Sequence, residues 1–120
     1  MANINRDYIV VYNPKNSKIQ ANNIFFYTSD KNTTNIYISI VGDYQDLQLE
    51  VVIVPPNAQE RKECYYIQAK KLDDKLYEFQ APNHIDGVYK CQIKSINGNK
   101  FNTSQSFTYE VKENLIGDDM

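Results

Sequence analysis

Tryptophan is absent from the 120 residues, and glycine, proline, cysteine and histidine number only four, four, two and one. Each scarcity removes a class of chemistry. A lone histidine, His84, and two cysteines, Cys64 and Cys91, fall short of the roughly four ligands that a structural zinc site takes. So few glycines leave no phosphate-cradling loop, because such a loop needs glycines at fixed spacing with a lysine behind them. Two cysteines also make too sparse a framework for a disulfide-stapled secreted domain, so both are expected to be reduced and mostly buried. No cofactor and no metal follow from these residues.

A dominant charge is missing as well. The 13 basic and 15 acidic residues are interspersed and give a net charge of -2, which leaves no electrostatic footprint for nucleic acid or an anionic membrane. The N-terminal "MANINRDYIV" reaches only a short apolar run before Asn13-Pro14, so no secretory leader is expected. No stretch approaches the roughly 20 apolar residues of a membrane span, and the chain reads as soluble with no membrane partner. At this length one domain with one core suffices, burying about two-thirds of its unfolded surface. Residues 1–23 read as an N-terminal strand and polar connection within that domain, 24–113 as its core, and 114–120 as a tail or the start of a linker.

What is present is strand alternation, in which successive side chains point to opposite faces. "YIVVY" (Tyr8 to Tyr12) is a short apolar run, followed by the turn-rich "NPKNSKIQANN" and then "IFFYT". Ile36, Ile38 and Ile40 alternate against Tyr37 and Ser39, and Leu47, Leu49, Val51 and Ile53 form the next face before Pro55-Pro56 ends it. "AQERKECYYIQAKKL" either opens a helix behind Asn57 or forms a strand from about Glu63 to Lys70, and its β-rich half favours the strand. Asp73-Asp74 makes a turn, and Tyr77 and Phe79 face inward after it. Tyr89, Cys91 and Ile93 alternate against lysines and a glutamine. Asn97-Gly98 signals a hairpin whose central residues take positive φ, and Phe107, Tyr109 and Val111 return.

Such punctuation points to an all-β fold, an antiparallel immunoglobulin-like β-sandwich of about seven to eight strands. Within it, Tyr89 stands two residues before Cys91, where such domains carry a tyrosine corner. Its hydroxyl would bond to backbone near Asn83 to Asp86, and the bland alternative is a buried aromatic followed by a small core residue.

Catalytic constellations are hard to assemble from these residues. His84 and Asp86 in "PNHIDG" offer an acid–base pair, but nothing supplies a nucleophile or a third orienting group. Asp43, Asp46, Asp73, Asp74, Asp118 and Asp119 lack the spacing of a calcium loop and read as turn or tail residues. The sequons at Asn32 and Asn102 read as chance products of an Asn-rich composition. The chain is therefore read as no enzyme. Aromatic surplus is the remaining clue: Tyr8, Tyr12, Phe25, Phe26, Tyr27, Tyr37 and Tyr66 exceed what one small core absorbs. They either cover the sandwich faces and edges or serve as contacts, with Tyr8, Tyr12, Phe25, Tyr27 and Tyr37 as the partner-binding candidates.

In "FFYTSDKNTTNIYISI" an aromatic is followed by Thr28, Asp30 and Asn32-Thr33 leading into an alternating strand. Together with "YEFQAP", "DGVYKCQI" and "TSQSFTYEVKE" in that order, this resembles the N-terminal immunoglobulin-like domain of the phage baseplate upper protein family, over roughly Ile24 to Glu113. The connection within "GDYQDLQLEVVIVPP" is more compact than the resemblance implies.

The resemblance implies a non-catalytic structural adaptor of a tail baseplate, attaching receptor-binding or host-adhesion components to the baseplate core. Its partners would be other phage baseplate proteins and a receptor-binding protein, with a homo-oligomer possible in the assembly. Its place would be the virion, assembled in the host bacterial cytoplasm. Family members continue into a further region, so the chain ending at "NLIGDDM" is expected to be a domain of a longer protein or a short relative. Docking is expected through edge strands and the segment Tyr8 to Tyr27, and removal of Tyr8 to Tyr12 is expected to spare the fold. From a different class, a carbohydrate-binding module for host cell-wall glycan would present a row of exposed tyrosines on one sheet face, Tyr37 among them.

Overall fold

The computed structural model describes residues 8–31, 33–57 and 63–113. Eleven strands run in chain order: β1 (Ile9–Asn13), β2 (Lys18–Ala21), β3 (Ile24–Tyr27), β4 (Asn35–Ile40), β5 (Gln48–Val54), β6 (Tyr65–Gln68), β7 (Lys70–Asp73), β8 (Leu76–Gln80), β9 (Gly87–Asn97), β10 (Lys100–Thr103) and β11 (Phe107–Lys112). They form a five-stranded sheet, β2-β1-β4-β8-β7, and a six-stranded sheet, β3-β11-β9-β5-β6, with β10 pairing β9 beside the end of β11. The all-β reading holds.

The antiparallel expectation does not hold. β1 runs parallel to β4, and β3 runs parallel to β11, so both sheets are mixed. Parallel neighbours need a crossover between them, and the N-terminal segment supplies one. After β1, the chain turns back as β2 on one sheet, crosses at Asn22-Asn23 to form β3 on the other, and returns as β4 beside β1. A reading that joined each strand to the next by a hairpin could not show this.

The alternating faces meet in one core, where Ile36, Ile38, Leu49, Val51, Ile53 and Ile93 are sealed from solvent. Each such aliphatic side chain contributes about 1.5–3 kcal/mol on leaving water. Tyr12, Tyr77, Tyr89 and Tyr109 are buried with them, at 0 to 1% exposure. They are tolerated there because each hydroxyl has a partner, and a buried polar group without one is costly. Tyr12 Oη lies 2.9 Å from Ser95 Oγ, Tyr77 donates to the Leu47 carbonyl, Tyr89 donates to Ile85 O at 2.9 Å, and Tyr109 donates to Pro82 O at 2.7 Å. The Tyr89 bond closes a four-residue loop onto the backbone, in the stretch where a tyrosine corner places it. Its ring stacks on Tyr109 with centroids 4.7 Å apart.

Glycine matters at both ends of β9. Gly87 opens β9 at φ +130°, and a Cβ there would lie 2.6 Å from Cγ of Pro56. Gly98 sits at φ +63° in the β9–β10 hairpin, whose pairing of Asn97 with Lys100 makes Gly98-Asn99 the two-residue loop. The hairpin therefore lies one residue beyond the Asn97-Gly98 centre. With glycine first and no positive φ at Asn99, the signs of φ match II′ and exclude I′, which needs both central residues positive. The strand expected over Glu63 to Lys70 is split at Ala69, where the chain passes from one sheet to the other, and 58–62 lie outside the described residues.

Candidate interaction surface

The five aromatic candidates separate when placed on the strands. Tyr12 is fully buried and hydrogen-bonded to Ser95, so it is a core residue and cannot contact a partner. Its position follows from β1 alternation, in which Val10 and Tyr12 point inward and Ile9 and Val11 outward. Tyr8 is half-buried and packs on buried Phe26 at 5.1 Å between ring centroids. Tyr37 is half-buried in the outer face of the five-stranded sheet. Only Phe25 and Tyr27, at about 40% exposure, stand out to solvent, together with Tyr66 at 56%. Removing Tyr8 to Tyr12 would take out most of β1 and two core side chains, so that deletion tests folding rather than docking.

Eight large apolar side chains among the described residues are well exposed, and six of them share one surface: Phe25, Tyr27, Val54, Tyr66, Val88 and Phe101. Strand alternation puts all six on the outer face of the six-stranded sheet, since their neighbours Phe26, Ile53, Tyr89 and the core half of the β9–β10 pair turn inward. Register brings Phe25 beside Glu110 and Glu110 beside Val88 across three strands. Further along, Gln92, Val52 and Tyr66 lie abreast. Lysines cover two rings: Lys112 Nζ is 4.3 Å from the Phe25 centroid, and Lys94 Nζ is 5.2 Å from that of Phe101. Exposed cation–π pairs of this kind are worth about 0.5–1 kcal/mol each. The surface thus offers apolar contact area interleaved with lysine and glutamate.

A groove of about 690 Å³ opens at the edge of this face, where β3 falls short of the start of β11, lined on one side by Phe25, Val88, Thr108 and Glu110 and on the other by Ile19, Ala21 and the crossover Asn22-Asn23. Beside it the edges are covered. Asp30 accepts from the Tyr27 N–H at 2.9 Å, and Asn83 donates to the Tyr27 and Asp30 carbonyls at 2.8 and 2.9 Å. The Thr28–Asp30 motif is therefore a turn lock at the end of β3. On the other sheet, the Gln105 side chain accepts from the Ile19 N–H of β2 at 3.3 Å.

His84 does not face Asp86 as a pair. The Tyr65 hydroxyl lies 3.3 and 3.2 Å from its two ring nitrogens, and the rings meet edge to face at 6.0 Å. Cys91 is buried and Cys64 half-buried, both free, and burial pushes the Cys91 thiol well above its usual range. Among the described residues no group of His, Cys, Asp and Glu is placed to hold a metal ion, and no helix is long and apolar enough to cross a membrane.

Val54, Val88 and Phe101 are the surface residues that the aromatic count overlooks. The signal for Val88 lay in its strand: with Tyr89, Cys91 and Ile93 inward, an apolar Val88 must point to solvent. No protein-family model matches the chain, and no curated protein matches it.

Proposed function

We propose that this chain is a non-catalytic structural adaptor of a phage tail baseplate, an immunoglobulin-like domain that joins receptor-binding or host-adhesion components to the baseplate core. The observation that carries the docking role is the clustering of six of eight exposed large apolar residues on one sheet face. Large apolar side chains gathered on one exposed face, here interleaved with lysine and glutamate, give the mixed contact area that interaction sites use. The baseplate setting rests on the ordered motifs from "FFYTSDKNTT" to "TSQSFTYEVKE".

The immunoglobulin-like reading draws support from strand order. If β1, β4, β8 and β7 are taken as A, B, E and D, then β5, β9 and β11 fall at C, F and G, the two sheets of that architecture. β1 takes the A position but runs parallel to β4 where that architecture is antiparallel, and the β1–β2 hairpin and the β3–β11 pairing are additions to it. The Tyr89–Ile85 bond adds the corner. Free cysteines fit assembly in a reducing host cytoplasm before incorporation into the virion.

The docking face moves accordingly, from the segment Tyr8 to Tyr27 as a whole to the outer face of the six-stranded sheet, in which that segment retains Phe25 and Tyr27. A glycan platform finds less support: Tyr37 lies on the opposite sheet, and the Phe25 and Tyr27 rings stand at 89° to each other rather than side by side. Immobilised wild-type chain and a Phe25→Ser/Val88→Glu variant, each checked for folding by circular dichroism, are exposed to lysate of phage-producing Gram-positive cells and to purified cell wall. Retention of baseplate proteins by the wild type, reduced at least about tenfold in the variant, is the expected result for contacts of hot-spot strength. Equal retention by both proteins refutes the assigned face, and retention by cell wall alone refutes the adaptor role.

A further inference from the structure

We propose that β6 is the edge through which two copies of this chain pair, antiparallel, about a two-fold axis at Ile67. The inference stands apart from the baseplate reading, because it rests on which strand edge is left open among the described residues. The Ala69 N–H donates to Leu49 O at 2.9 Å, so the backbone groups of Tyr65, Ile67 and Ala69 face β5. Alternation then turns the N–H and C=O of Tyr66 and Gln68 to the open side, where no described residue bonds them.

The other edges are guarded. β3 is closed at Tyr27 by Asp30 and Asn83, leaving only Phe25 with outward groups. β2 is bridged by Gln105. β7 carries Lys70 and Lys71 and a register shift between Lys71 and Asp73, the devices by which edges resist pairing. β10 is held against the β1–β2 turn through Asn102 and Pro14. β6, reading Tyr-Tyr-Ile-Gln, has no charge, no proline and no bulge.

Self-pairing satisfies this edge in one register. With the axis at Ile67, Tyr66 faces Gln68 of the second copy, and each such pair exchanges both backbone bonds. Four hydrogen bonds form, and the two six-stranded sheets become one. An uncharged strand meets its copy without like-charge repulsion, and Tyr66, the second most exposed large apolar residue, is covered beside Gln68 of the other chain.

The test is sedimentation equilibrium of the wild type and of Gln68→Pro. Proline at this position removes the outward N–H and leaves the β5 ladder intact, because that N–H takes no part in it. The wild type is expected to dimerise, and the variant to keep its circular dichroism spectrum while its dissociation constant rises about 30-fold, two bonds being lost per dimer. Register is read by cross-linking in a Cys64→Ser background. Tyr66→Cys mixed with Gln68→Cys should give an intermolecular disulfide on oxidation, since directly opposed residues sit about 5.5 Å apart, within disulfide reach. Either protein alone should cross-link far less. A wild type that stays monomeric at about 100 μM, or a dimer unaffected by Gln68→Pro, overturns the proposal. Cross-linking of Tyr66→Cys alone as readily as the mixture overturns the register.

Discussion

Replacing Tyr89 with phenylalanine removes one hydroxyl and nothing else, which makes it a clean probe of the corner that joins β8 to β9. The ring keeps its stack on Tyr109, 4.7 Å away and 9° from parallel, so the apolar contribution is retained. What is lost is donation to Ile85 O at 2.9 Å and a long return bond from the Ile85 N–H at 3.4 Å. A net intramolecular hydrogen bond is worth about 1 kcal/mol, and an acceptor left without its donor adds to that where water cannot reach it. Ile85 is half-buried, so rehydration of its carbonyl is partial and the cost falls at about 1–1.5 kcal/mol. For a domain of this length that lowers the melting temperature by about 4–6 °C. Differential scanning calorimetry measures it, with Tyr66→Phe on the exposed face as the matched control expected to change by less than about 0.5 kcal/mol. Equal small shifts in the two variants would refute the assignment of Tyr89 as a structural corner.

Gly87→Ala should be far more damaging than Gly98→Ala, although both glycines have positive φ. At Gly87 the new methyl meets Pro56 at 2.6 Å on a strained backbone, for a loss of about 2–4 kcal/mol, whereas nothing lies within 4 Å at Gly98 and only the backbone strain of about 1 kcal/mol remains; urea unfolding midpoints compare them. Stability should fall as pH rises above 10. Burial raises the hydroxyls of Tyr12, Tyr77, Tyr89 and Tyr109 above their ordinary value of 10.0, so the unfolded chain gives up protons that the folded chain keeps, and the stabilisation is full below that pH and lost above it. Tyrosinate absorbance of these four residues should therefore grow together with loss of near-ultraviolet dichroism; their ionisation in a still-folded protein would contradict the burial. The Cys91 thiol should react with a disulfide reagent only at the rate of unfolding, while rapid modification in native conditions would show an open path to the core.

The core was legible because it obeys a period of two. Ile36, Ile38 and Ile40, or Tyr89, Cys91 and Ile93, each mark a buried face by alternation alone, and the structure buries all six. Edges carry no such pattern. β7 and β10 are exposed at every residue, and β2 has only Ile19 half-covered, so nothing in Lys18–Ala21, Lys70–Asp73 or Lys100–Thr103 distinguishes a strand from a polar loop. Parallel pairing was hidden for a different reason, since hydrophobic period fixes which face is buried but not which strand lies alongside. Tyr12 shows the limit of counting aromatics: its hydroxyl is neutralised by Ser95, 83 residues away, and no local feature announces that partner. The exposed apolar face was half visible, in Phe25, Tyr27 and Tyr66, and completed only when register set Val54, Val88 and Phe101 on the same face.

The proposed adaptor role is tested most directly by lysine cross-linking and mass spectrometry of phage particles purified from cells that express the chain. Lys90, Lys94 and Lys112 stand on the outer face of the six-stranded sheet, while Lys70, Lys71 and Lys75 lie on β7 and its turn at a different edge. The account predicts that the chain is found in the particle and that its links to other baseplate proteins leave from Lys90, Lys94 and Lys112. Absence of the chain from the particle, or links that leave only from Lys70, Lys71 and Lys75, would contradict it.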